Sequence, residues 1–132
     1  MVKASDPETV VKALQEGGYP AELVKDDVGD PQISSTASGL KFVVFFYHCD
    51  DHINCRSIRL HAGFRAKDPF TPQQANDWNK ARLFTKVYLN DDNDPRLVLD
   101  IRTGEGIPVS VFDTQMKMYD ADLATFAKQL GL

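Results

Sequence analysis

Leu40-Lys41-Phe42-Val43-Val44-Phe45-Phe46-Tyr47-His48-Cys49 and Cys55-Arg56-Ser57-Ile58-Arg59-Leu60-His61-Ala62-Gly63-Phe64 decide how this chain folds. Both runs are rich in β-branched and aromatic residues, and a polar loop, Asp50-Asp51-His52-Ile53-Asn54, separates them, which is a hairpin signal. Setting Cys49 opposite Cys55 pairs Phe46 with Ile58, Val44 with Leu60, Phe42 with Ala62 and Leu40 with Phe64. Those eight side chains share one face, because side chains alternate along a strand. The opposite face then carries Cys49 with Cys55, Tyr47 with Ser57, Phe45 with Arg59 and Val43 with His61. A slip of one residue would drive Arg56 into the core face, so the register is well specified.

Outward from the hairpin, Ser5-Asp6-Pro7-Glu8 reads as a helix start with Ser5 and Glu8 as a capping box. Val10, Val11 and Leu14 form that helix's apolar stripe, and Gly17-Gly18 ends it. Strands are expected over Tyr19 to Lys25 and Gln32 to Thr36, around the turn Asp26 to Pro31. Beyond the hairpin, Thr71 and Gln74 make a second capping box before a short helix ending near Leu83, with Trp78 as its core anchor. Thr85 to Asn90 and Arg96 to Thr103 form a second hairpin. Its turn, Asp91-Asp92-Asn93-Asp94-Pro95, repeats the acid-rich, Asp-Pro chemistry of the first turn. Val109, Phe112, Met116, Tyr119, Leu123, Phe126 and Leu130 recur at spacings of three and four, which predicts one long final helix of about 33 Å, able to cross a sheet.

The order helix, four strands, helix, two strands, helix excludes regular β-α alternation. The reading is an α+β fold, an antiparallel sheet flanked by helices in the order α-β-β-β-β-α-β-β-α, with residues 1–132 as one domain. A net charge of −4 over 132 residues argues against nucleic acid as the main partner. No window approaches the ~20 apolar residues of a membrane-spanning helix. The first seven residues contain no apolar signal core, which fits either a cytoplasmic chain or a mature exported protein with Met1 as an added start. The two cysteines at the mouth of one hairpin suit a disulfide in an oxidising compartment, or two reduced thiols in the cytosol.

The constellations that carry chemistry are few. Cys49, His52 and Cys55 could converge on a metal, but that leaves a closed zinc site one ligand short, since His48 points to the other face. The acidic turns fail the calcium-loop pattern, which needs a glycine at position six and a glutamate at twelve. No nucleophile elbow, phosphate loop or dinucleotide fingerprint is present. Ser57, Arg59 and His61 share a strand face, but neighbours two apart stand roughly 7 Å from each other, too far for a direct nucleophile–base bond. Val43, Phe45, Tyr47, Arg59 and His61 instead have the composition of a protein-binding patch. Either a helix of the same chain covers that face, or a second subunit or a client peptide does. The Phe112–Tyr119 side of the last helix is another candidate contact surface. A small-ligand or enzyme pocket around Tyr47, Arg59 and His61 is the rival reading.

Gly29-Asp30-Pro31-Gln32-Ile33, Phe46-Tyr47-His48-Cys49, Cys55-Arg56-Ser57-Ile58, Ala62-Gly63-Phe64, Asn76-Asp77-Trp78-Asn79 and Asp91-Asp92-Asn93-Asp94-Pro95, taken in order, resemble the YbjN family. The resemblance spans about Ser5 to Phe126, and members are described as putative bacterial sensory transduction regulators. It implies a type III secretion chaperone-like fold, a non-enzymatic protein-binding role, homodimerisation, and no cofactor or catalytic residues to carry over. Relatives with the paired cysteines resemble exported proteins beginning near an Ala-Ser-Asp-Pro stretch such as Ala4 to Pro7, which favours the added-start reading.

Overall fold

The computed structural model describes all 132 residues. Three helices and six strands follow the chain as α1 (Pro7–Glu16), β1 (Ala21–Lys25), β2 (Pro31–Ala37), β3 (Leu40–Tyr47), β4 (Ser57–Gly63), α2 (Pro72–Ala81), β5 (Lys86–Leu89), β6 (Pro95–Arg102) and α3 (Val109–Gln129). The strands form one antiparallel sheet in the order β1-β2-β3-β4-β6-β5. The central register is the one the hydrophobic pattern requires, with Val44 opposite Leu60 and Phe46 opposite Ile58.

Alternation then sorts the sheet into two unlike faces. Ile33, Phe42, Val44, Phe46, Ile58, Leu60, Ala62, Val87, Leu97, Leu99 and Ile101 are buried together with Val10, Val11 and Leu14 of α1, Trp78 of α2 and the stripe of α3. All three helices therefore lie on that one face. Tyr119, fully buried, packs edge-on against Phe42 and donates its hydroxyl to the Leu97 carbonyl at 2.9 Å. Phe126 gathers Phe64, Phe70 and Trp78 around its ring at 5.1–5.5 Å between centroids. Trp78 passes its indole N–H to Thr85, whose hydroxyl donates to Asp122 of α3, so the junction of α2, β5 and α3 is hydrogen-bonded as well as packed.

Several local expectations need correction. The first helix is not capped by a Ser5–Glu8 box: Asp6 is its N-cap and makes no side-chain cap bond. There the chain is instead held by a Lys3–Asp6 bridge and by Thr9, whose hydroxyl donates to the Asp6 carbonyl. The Thr71–Gln74 box is present at α2, which ends at Ala81, two residues before Leu83. The central strands stop at Tyr47 and restart at Ser57, shorter than the Cys49-to-Cys55 reading, because His48 takes a left-handed backbone with φ 58°. That twist breaks the alternation and turns the cysteine pair away from the Tyr47 face. Cys55 is buried in the helix-covered core and Cys49 packs against it. Phe112 and Tyr119 are also buried, so the apolar side of α3 is core and not a contact surface.

The two acid-rich turns fold alike. The Asp26 side chain accepts from the Val28 and Asp30 amides, and Asn90 accepts from the Asp92 and Asp94 amides. Each turn closes with a backbone bond between its first residue and the Asp before proline, and Gly29 and Asn93 take the left-handed position. The Oδ1 atoms of Asp26 and Asn90 are thus spent on holding the turns.

Candidate functional site

The second sheet face has no helix over it. Across its middle run Ser34, Val43, His61, Val98 and Lys86, and in the next row Gln32, Phe45, Arg59 and Asp100. Tyr47, Ser57 and Arg102 follow. Val43, Phe45, Arg59 and His61 are half-buried by their neighbours, while Tyr47 and Tyr88 are 43% and 42% exposed. All five residues of the expected protein-binding patch thus share this face.

Their contacts are mostly aromatic. Phe45 meets Tyr47 at 6.5 Å and His61 at 5.1 Å between centroids, both edge-to-face, and the His61 ring reaches Tyr88. Arg59 lies 5.8 Å over the Tyr47 ring and holds Asp100 through two hydrogen bonds of 2.6 and 3.0 Å. A paired guanidinium stacked on an aromatic is a pre-organised contact element. Burial, followed by the nearby Arg96 and Arg59 charges, pushes the His61 imidazole below its ordinary pKa.

At one end of the face, Tyr47, His48, Ser57, Arg59, Asp100 and Arg102 surround a shallow depression of about 480 Å³. Arg59 lines it but His61 does not, so the pocket expected around Arg59 and His61 is not formed. Ser57 and His61 are likewise separate. The histidine that meets Ser57 is His48, whose Nδ1 sits 3.0 Å from the serine hydroxyl. Sequence spacing hid that pair, because it depends on the left-handed turn at His48. No carboxylate bonds the other nitrogen of His48, so the orienting third group of a nucleophilic triad is missing.

Cys49 and Cys55 are joined, with sulfurs 2.04 Å apart. The disulfide closes a tight loop in which Asp50 and Ile53 bridge across Asp51 and His52, both at positive φ, as in a type I′ turn. With the sulfurs bonded to each other they are not thiolate ligands, and His52 bonds Asp30 at 2.7 Å instead of a metal. The Asp30 carboxylate raises the pKa of His52 above its ordinary value. This contact ties the disulfide loop to the β1–β2 turn, while Arg56 and Asp50 pair at 3.1 Å beside it.

A family model, YbjN, described as "Putative bacterial sensory transduction regulator", matches residues 6–132. Among solved structures the chain is similar to the crystal structure of YbjN from E. coli, described as a putative transcription regulator. The TM-score is 0.65 at 15% identity, over 95% of this chain and 90% of that one. At that identity the likeness is one of fold alone. No curated protein matches the sequence. No helix is long and apolar enough to cross a membrane.

Proposed function

This chain belongs to the YbjN family, and we propose that it is a non-enzymatic regulatory module that binds another polypeptide on its uncovered sheet face, in the manner of a chaperone. The observation that carries this reading is the placement of Val43, Phe45, Tyr47, Arg59, His61 and Tyr88 on the one sheet face that no helix covers. A sheet strand that is apolar on both sides calls for cover on both sides, and here the chain supplies it on one. Tyrosine and arginine are the residue types that dominate binding energy at such surfaces. The shallowness of the neighbouring depression and the missing orienting group on His48 weigh against catalysis as the role of this face.

Affinity purification from the native host, comparing the wild-type chain with a Tyr47→Ala, Arg59→Ala variant, tests the reading. A polypeptide recovered stoichiometrically with the wild type and lost with the variant supports it. Equal recovery with both proteins moves docking elsewhere. Light scattering in the same preparations separates a second copy, the homodimer that the family resemblance implies, from a different partner.

A further inference from the structure

The uncovered face has a charge of its own. Lys41, Arg59, Lys86, Arg96 and Arg102 lie on it against Glu22 and Asp100. Five cations against two acids leave that face at +3, and the remainder of a −4 chain at −7. Asp100 is already held by Arg59, and Glu22 sits on the far edge strand. Lys41 and Arg102 are exposed with no hydrogen bond or ion pair, Arg96 is bonded only to backbone carbonyls of Phe64 and Pro95, and Lys86 only to those of Asn79 and Arg82. Four cations without a carboxylate partner, Lys41, Lys86, Arg96 and Arg102, thus flank the aromatic strip Tyr47, Phe45, His61 and Tyr88. Burial is the first cause of the lowered pKa of His61, and the charges of Arg96 and Arg59 beside it add to the shift.

We propose that the occupant of this face is an acidic polypeptide segment bearing aromatic or aliphatic side chains. The inference rests on the docking role assigned above and names the chemistry of the partner. The apolar side chains would cover the Phe45–Tyr47–Tyr88 strip, and the carboxylates would meet Lys41, Arg96 and Arg102. A second copy laid on the same face would bring positive onto positive, which complementary interfaces avoid. Nucleic acid fits less well, because single-strand binding needs open aromatic faces on which successive bases stack. The ring of Phe45 is engaged edge-to-face by Tyr47 and His61 and offers no flat platform for a base.

The test is fluorescence anisotropy with four labelled or added probes: a random Glu/Tyr copolymer, poly-Glu, a Lys/Tyr copolymer and oligo-dT. The Glu/Tyr copolymer should bind saturably and more tightly than poly-Glu, and the Lys/Tyr copolymer should not bind. Lys41→Glu with Arg102→Glu, two exposed positions that leave the core intact, should weaken binding by about tenfold or more, as should high salt. Absence of Glu/Tyr binding, indifference to the charge reversal, tighter binding of oligo-dT, or a stable dimer that shields Tyr47 overturns the proposal. If the copolymer fails while capture of the native partner still depends on Tyr47 and Arg59, the acidic occupant is wrong and the docking face survives. If neither depends on them, both fall.

Discussion

Phe46 and Tyr47 are adjacent on β3, point to opposite faces, and should respond very differently to truncation. Phe46 is 3% exposed within the helix-covered core, whereas Tyr47 is 43% exposed on the uncovered face. Phe46→Ala removes a buried ring and leaves a cavity, at a cost of ~3–5 kcal/mol. That is a fifth or more of a stability of about 5–15 kcal/mol. Tyr47→Ala forfeits an edge contact with Phe45 and the stacking of Arg59, about 1 kcal/mol at most for a ring so open to water. Urea denaturation of both variants at several protein concentrations measures the difference, with m-values checked for two-state behaviour. For a domain of this size each kcal/mol moves Tm by roughly 3–5 °C, so Phe46→Ala should melt about 10–20 °C low and Tyr47→Ala within about 5 °C of wild type. A Tyr47→Ala loss as large as that of Phe46→Ala would refute the reasoning, since it would mean that the outer face is covered in solution.

Three further outcomes follow from the same geometry. Reducing the Cys49–Cys55 bond should cost about 2 kcal/mol, the value expected for a small closed loop, read as a shift of the denaturation midpoint; no shift would mean that the loop holds its shape without the bond. The two histidines should titrate on opposite sides of 6.5 by NMR. His52, raised by its hydrogen bond to Asp30, adds stability that is complete below pH 6.5 and lost as pH rises through its folded pKa. His61, lowered first by burial, removes stability as pH falls below 6.5, because the unfolded chain takes up that proton first. Asp30→Asn should return His52 towards 6.5 and leave His61 unmoved. Asn79→Ala strips the edge strand β5 of two bonds, since Asn79 accepts from the Val87 amide and donates to its carbonyl. It should destabilise by about 1–3 kcal/mol with faster hydrogen exchange confined to β5.

The sheet was legible in the sequence wherever periodicity and burial agree. Leu40 to Tyr47 is apolar on both sides, but Ser57 to Gly63 alternates Ile58, Leu60 and Ala62 against Ser57, Arg59 and His61, so the pairing followed from which face of that strand must be dry. The stripe from Phe112 to Phe126 was equally plain, although Val109 at its head is 42% exposed and stands outside the core. Strand order was less accessible. β6 lies beside β4 with β5 outside it, an arrangement set by how α2 returns to the sheet and not by any one residue. The backbone between His48 and Asn54 was hidden too. Four residues there have positive φ, and Asp, Asn and His tolerate that region without announcing it. Both site-level surprises, the inward turn of the cysteines and the His48–Ser57 contact, come from that segment. The emptiness of the outer face could not be read either, since a helix pattern names its apolar side but not which sheet face receives it.

The central claim is that the face carrying Tyr47 is where a partner polypeptide sits. A photo-crosslinking residue placed at position 47, with a control at exposed Thr114 on the opposite side of the protein, tests this directly in cells of the native host. The account predicts a discrete crosslinked polypeptide from position 47, competed away by the Glu/Tyr copolymer in extracts, and none from position 114. Crosslinks from 114 and not from 47, or none from either, would contradict it.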